Sequence, residues 1–461
     1  MGCCNRRCGL IAGAVFGALV AILGGILIPV GNSIVEETVN KEAVIENGTT
    51  AYDNWVSVGA PMYREFYFFD VQNPEEIVNG SVPVVKEKGP YTYRVRYLPK
   101  DNIEPHPNHT VSYRLPLGAI FEPSRSVGSE DDIVTTLNLF LVGGLSTLEG
   151  MAWLPGLNKA PLFQRRTVKK LLWGYRSGSD VEIGLFSPYN GTYDGNYTIF
   201  TGKDDISKVG MIYKYKGERS LSFWNNTYCD MINGTDASSF TPFVDKTKPL
   251  YFFSSDICRS VSADYTESLD LLGIEVYRFS LMPKILAAPV ENPENYCFCK
   301  DEKVYRNYTL GGVMDISPCE GRPVYISLPH FLHGSASLRE DVQGLNPIEA
   351  KHSTFLDVEP TTGFTLRFAK RLQVNMMYKS SKKIPALNKV RDYTIFPILW
   401  VNEMASMDDE TAEMLKKELF SRIEILDIVQ KVLLGVGVSV FALCLIGYCV
   451  VRRRDSQSKI A

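Results

Sequence analysis

Histidine is scarce in this chain: His106, His109, His330, His333 and His352 are the only five in 461 residues. The nucleophile-elbow pattern, the P-loop and the dinucleotide glycine fingerprint are all missing. His330 and His333 have H-x-x-H spacing but lack the Glu that follows the first His of a zinc-protease helix. The expectation is a protein that is not an enzyme, with no cofactor and no metal. A basic excess is missing too. Lys and Arg number 49 against 52 Asp and Glu, a formal net charge of -3, which argues against a nucleic-acid partner. There is no internal repeat and no low-complexity tract.

Charge is absent from two long stretches. Leu10–Val30 and Val432–Val451 are 21 and 20 residues without a charged side chain, the length a bilayer core requires. The first is longer than the apolar region of a cleaved signal peptide and reads as an uncleaved anchor. Arg6 and Arg7 precede it, and Arg452, Arg453 and Arg454 follow the second. Basic flanks stay in the cytosol. The expected organisation is therefore a tail at 1–8, a span at 9–30, an ectodomain at 31–431, a span at 432–451 and a tail at 452–461. Both spans lack Asp, Glu, Lys, Arg and His, the usual marks of a transport path. Gly9, Gly13 and Gly17 form two G-x-x-x-G steps, suited to close approach of the second span or of another copy.

The loop carries every N-x-S/T sequon: Asn47, Asn79, Asn108, Asn190, Asn196, Asn225, Asn233 and Asn307. All eight are expected N-glycosylation acceptors on the translocated side. Its five cysteines, Cys229, Cys258, Cys297, Cys299 and Cys319, are placed for disulfides. Cys3, Cys4, Cys8 and Cys449 lie at the cytosolic membrane boundary and suit palmitoylation.

The ectodomain pattern is mainly of strands. Tyr91, Tyr93, Val95 and Tyr97 alternate with polar residues, as do Val111, Tyr113 and Leu115, and the two runs suggest an antiparallel pair. The longest alternation is Phe364, Leu366, Phe368, Leu372, Val374 and Met376, with Lys370 interrupting it as a bulge or a cavity-facing charge. A helical insertion is expected at 130–175. Ser129 and the acids after it resemble a helix start, and Arg165–Trp173 reads as a helix. The apolar stretch Leu137–Leu154 reads either as core or as a surface for an anionic amphiphile beside Lys159, Arg165, Arg166, Lys169 and Lys170. Acids after Asp408 start a helix that leads into the second span.

The stretch MGCCNRRCGLIAGAVFG resembles the amino terminus of the class B scavenger receptor family. Further similar stretches run through the chain: FDVQNPEE from Phe69, GPYTYRVR from Gly89, FFSSDICRS from Phe252, GRPVYISLPHFL from Gly321 and GFTLRFAKRLQVN from Gly363. The resemblance implies an α+β fold. It would be a large extracellular antiparallel β-barrel core with a membrane-distal helical bundle and an internal lipid tunnel, anchored by two transmembrane helices. The implied function is a plasma-membrane receptor, also in rafts and endocytic vesicles. It would bind long-chain fatty acids, oxidised low-density lipoprotein and anionic phospholipids, and promote fatty-acid uptake through the tunnel. Implied partners are thrombospondin and Src-family kinases, with homo-oligomers a further expectation. The family's ligand-contacting lysine falls on Lys159, with Arg165, Arg166 and Lys169 beside it. The family pattern also implies Cys229–Cys297 and Cys258–Cys319 bridges. It leaves Cys299 unpaired or differently paired, because Tyr308 stands where a third partner would be. Acylation carries over to Cys3, Cys8 and Cys449. The alternatives are a cholesterol-ester exchange or lysosomal relative and, from another class, a two-span ligand-gated channel.

Overall fold

A computed structural model describes residues 6–57, 59–144, 160–176, 182–187, 189 and 191–457. The chain divides into two units, Met1–Glu42 with Asp408–Ala461, and Ala43–Met407.

The first unit is helical. One helix, Arg6–Ala43, contains the first charge-free run, and another, Ser421–Gln457, contains the second. Both have the length and hydropathy of membrane spans, and each outruns the 20 or so residues a bilayer core needs. A helix Asp409–Leu415 and a π turn Lys416–Phe420 lead into the second span. Asp408 caps that start by accepting the Thr411 N–H at 2.8 Å, with Asp409 and Glu410 in the first turn. The two long helices pack against each other. A Cβ built on Gly17 would lie 2.5 Å from the Phe441 backbone nitrogen, and one on Gly24 equally close to that of Leu434. Only glycine allows this approach. Gly9 faces nothing within 4 Å. Gln430 donates to the Leu27 carbonyl at 2.9 Å, and Arg7 pairs with Asp455 near the opposite end.

The second unit is built from strands β1 (Met62–Val71), β2 (Val85–Val95), β3 (Asp101–His106), β4 (Thr110–Pro116), β5 (Ala119–Phe121), β6 (Ile133–Leu137), β7 (Phe163–Thr167), β8 (Tyr175–Arg176), β9 (Glu182–Ile183), β10 (Tyr193–Phe200), β11 (Ile212–Tyr215), β12 (Leu250–Ser254), β13 (Arg259–Leu271), β14 (Ile274–Leu281), β15 (Val313–Asp315), β16 (Tyr325–Ser327), β17 (Phe355–Val358), β18 (Thr365–Tyr378) and β19 (Thr394–Ser406). Eleven form one antiparallel sheet in the order β12-β13-β14-β17-β18-β19-β1-β2-β5, with β15 and β16 joined through β18. β18 and β19 are the long central pair. Every residue from Thr394 to Glu403 is buried, the pattern of a strand covered on both faces. Aromatic residues of β1 and β2 fill the adjacent core, where Phe66, Phe68, Phe69, Tyr91 and Tyr93 are buried.

Three local expectations are corrected. The runs around Tyr93 and Tyr113 do not pair with each other. β2 pairs with β1 and β5, whereas β4 lies between β3 and β10 in a separate four-stranded sheet, because Asp101–His106 forms a hairpin partner for β4. The acids after Ser129 do not open a helix. Glu130 and Asp132 accept the Tyr93 and Tyr91 hydroxyls at 2.9 and 2.8 Å, and the β-branched run Ile133–Thr136 then enters β6. Arg165 and Arg166 lie in β7, paired with β6; the helix begins only at Val168, capped by Thr167, and ends at Trp173. Between these, Leu139–Gly143 is helical, with Leu139, Leu141 and Val142 in the core. Residues 145–159 lie outside the described residues.

Candidate functional site

One face of the large sheet bounds a cavity of about 300 Å³, at the lower end of small-molecule sites. Its walls are largely apolar, drawn from Phe186, Phe253, Ile326, Leu372, Val374 and Val401. Set into this surface is a row of charge. Arg64 on β1 stands opposite Glu403 on β19, and Glu403 stands opposite Lys370 on β18. Because side chains alternate along strands, three residues in one cross-strand row point to one face.

Arg64 donates to the Glu403 carboxylate through Nε at 2.7 Å and also through Nη2. The two side chains are only 3% and 4% exposed. Lys370 pairs with Asp256 just after β12 and lies 3.7 Å from Glu403. Arg96, just past β2, approaches Glu403 at the same distance. Burial alone would raise the Glu403 carboxyl, but Arg64, Lys370 and Arg96 outweigh it and hold the group below the usual carboxylate range. Asp256 is lowered in the same way, against burial, by Lys370 and Arg64. Burial opposes a charged Lys370, and the two carboxylates more than offset it, raising its ammonium. All members of the row therefore stay ionised in an apolar wall.

The positions expected from the sequence fall elsewhere. Lys159 lies outside the described residues. Arg165 is exposed on β7; Arg166 lies over the Tyr175 ring at 4.5 Å; Lys169 is exposed, 3.6 Å from Glu130. None of these three borders the cavity. Of the internal charges, only Lys370 was signalled, as a break in the alternation of β18. Arg64 and Glu403 lie at the ends of aromatic or apolar runs and carry no signal of their partnership.

The structure joins Cys229 to Cys297 and Cys258 to Cys319, and the second pair borders the cavity. Cys299 is free and buried, and burial pushes its thiol up to about 12. Cys8 and Cys449 are exposed; Cys3 and Cys4 lie outside the described residues. Asn47, Asn79, Asn108, Asn196, Asn225 and Asn307 are exposed, Asn233 is half-buried, and Asn190 lies outside the described residues.

A second polar group joins exposed Glu87 to the buried His330 and His352, whose ligand atoms lie within 4.8 Å of one another. His333 is not part of it and pairs with Glu349 at 2.9 Å. The Nδ1 atoms of His330 and His352 accept the backbone N–H of Asn346 and Ile348, each at 3.0 Å. That fixes each neutral ring with its proton on Nε2. His330 Nε2 lies 2.7 Å from Glu87, which also accepts the Trp400 indole N–H at 2.8 Å. Nε2 thus carries a proton where a metal ligand needs a lone pair, so the group reads as a hydrogen-bonded cluster.

Two helices with the length and hydropathy of membrane spans and a β-rich body with an amphipathic cavity define a class, the two-pass membrane protein with a cavity in its β-rich body. The CD36 family model matches residues 15–448. Scavenger receptor class B member 1 of Rattus norvegicus is 33% identical over 446 residues, covering 92% of this chain and 86% of its own. Lysosome membrane protein 2 of Rattus norvegicus is 36% identical over 406 residues, covering 83% and 82%. The same protein of Homo sapiens is 35% identical over 408 residues, with the same coverage. The chain belongs to the CD36 family of class B scavenger receptors.

Proposed function

We propose that this protein is a cell-surface scavenger receptor that binds long-chain fatty acids, oxidised lipoprotein and anionic phospholipid and takes fatty acid through the cavity. The observation that carries this reading is an apolar cavity holding a buried row of charges, which suits an amphiphile with an acidic head. Removing an acyl chain from water supplies roughly 0.8 kcal/mol per CH₂. A head-group ion pair at the surface adds little, on the order of 1 kcal/mol or less. The cavity is therefore the seat of affinity, and the cations Lys159, Arg165, Arg166 and Lys169 serve initial capture. Thrombospondin and Src-family kinases remain the proposed partners outside and inside the cell, with acyl groups on Cys3, Cys4, Cys8 and Cys449. The test is binding of radiolabelled oleate and oxidised low-density lipoprotein to the full chain in nanodiscs. Saturable binding is expected, and its absence for both ligands overturns the reading.

A second location is favoured by the relatives named for the lysosome membrane. Surface biotinylation separates the two: labelling of most mature protein is expected for the plasma membrane.

A further inference from the structure

A second cleft, of about 350 Å³, opens beside the edge strand β12 and shares no lining residue with the cavity of the charged row. Its walls are mostly apolar, from Met211, Phe240, Pro242, Phe243 and Leu250. Among the described residues its only charges are Asp245 and Lys248, which pair at 3.4 Å. A cleft balanced in this way offers little to an anion or a cation and suits a neutral ligand with an apolar face.

Two aromatic rings stand out at this cleft. Phe243 is 44% exposed and Tyr251 46%. Phe243 also holds a left-handed backbone, φ 57°, which a bulky residue adopts only at a cost. The N–H groups of Phe243 and Val244 donate to the Thr361 and Pro360 carbonyls at 3.1 and 2.7 Å, which pins the turn in that state.

The sequon Asn233-Gly234-Thr235 lines the same cleft with all three residues. It is stitched to β12. The Thr235 N–H donates to the Tyr251 carbonyl at 3.2 Å, and the Phe253 N–H to the Thr235 carbonyl at 2.9 Å. Gly234 has φ 90°, and a Cβ there would fall 2.0 Å from the Tyr251 carbonyl oxygen. On the other side, the Asn233 N–H donates to the Ser260 hydroxyl at 2.8 Å. Backbone bonds on both sides thus hold Asn233 at the cleft. Of the described sequon asparagines it alone is half-buried.

We propose that Asn233 carries an N-glycan whose first sugars lie in this cleft, stacked on Phe243 and Tyr251. A neutral sugar ring has a face of C–H groups that covers an aromatic ring, and a rim of polar groups. The Ser207 and Thr241 hydroxyls donate within the protein and can still accept from that rim. Attachment is a group transfer from a lipid pyrophosphate-linked oligosaccharide. The Asn233 side-chain nitrogen gives up one proton and gains the bond to C1 of the first sugar; the C1–phosphate bond breaks, and the lipid pyrophosphate leaves. A half-buried acceptor requires that this precede folding. The seated sugars then cover apolar surface beside an edge strand, where another chain could otherwise pair. The inference is independent of the lipid-receptor reading and concerns a different part of the body.

The test uses the full chain from mammalian cells, in nanodiscs, with site-by-site mass spectrometry of release by a peptide N-glycosidase. Release at Asn233 is expected to be about tenfold slower than at Asn108 and Asn225 in the native protein, because the sugars must first leave the cleft. After denaturation the three rates should agree. Phe243→Ser with Tyr251→Ser should bring native release at Asn233 up to that at Asn225 and leave Asn225 unchanged. If that variant does not fold, the wild-type comparison of native and denatured rates decides. An unmodified Asn233, equal native rates at the three sites, or slow release that the two substitutions fail to relieve overturns the inference. So does protection at Asn233 that disappears on dilution, which would assign the cleft to a second copy of the chain.

Discussion

Arg64 and Glu403 stand directly opposite each other on β1 and β19, separated by 339 residues of sequence, and form a buried ion pair at the cavity wall. Neutralising one member leaves a buried charge without its partner, which costs about 3–5 kcal/mol, whereas replacing both with apolar residues costs far less. Glu403→Met should therefore destabilise the protein strongly, and Arg64→Met with Glu403→Met should recover much of the loss. Denaturant unfolding of the single and double variants checks this. Equal destabilisation by both would show that the pair is not coupled.

His352 sets a pH limit on stability. Burial first, and the neighbouring His330 ring second, hold its imidazole down at about 4 from the ordinary 6.5. Above pH 6.5 the ring is neutral folded or unfolded, so no stability is lost. As pH falls from 6.5 towards 4, the unfolded chain takes the proton and the folded one does not, and stability falls. The loss should be on the order of 2 kcal/mol after allowance for solvent screening. His352→Gln keeps an acceptor for the Ile348 N–H and should flatten the melting-temperature profile across that window.

The two membrane helices should be joined by a single engineered thiol. A Cβ at Gly13 would lie 2.6 Å from the Cys444 sulfur, whereas Gly9 faces open space. Gly13→Cys should cross-link to Cys444 under mild oxidant, and Gly9→Cys should not. After proteolysis of the loop, non-reducing gels will show the two helices held together only in the first variant.

Cys299 should behave as an inert thiol. Only the thiolate reacts, and a thiol pushed up to about 12 by burial holds almost none at neutral pH. Iodoacetamide should leave it unlabelled in the native protein and label it fully after denaturation, as read by mass spectrometry. Native labelling would mean that this segment opens readily.

Much of the membrane anchoring was legible in the sequence, because bilayer thickness imposes a length on apolar runs. Lys370 was legible as well, since a lone cation inside a period-2 apolar run has few ways to be accommodated. The register shifts of that strand lie instead between Thr365 and Arg367, opposite β17, and between Val374 and Asn375, opposite β19. Arg64 and Glu403 were not legible. Their partnership depends on strand order across 339 residues, which periodicity does not encode. The segment around Glu130 misled because acids near Ser resemble a helix cap; here tyrosine hydroxyls of β2 claim them first. Arg165 and Arg166 misled because helix propensity is a weak prior beside pairing with the β-branched β6.

The central strand β19 ends at Ser406, and the helical run into the second span begins at Asp409. Almost no slack chain separates the two. A mechanical load on the carboxyl-terminal anchor therefore reaches β19 before any other strand of the sheet. It is resisted by the hydrogen-bond ladders to β18 and β1, and the ion pair of Glu403 lies on that line of tension.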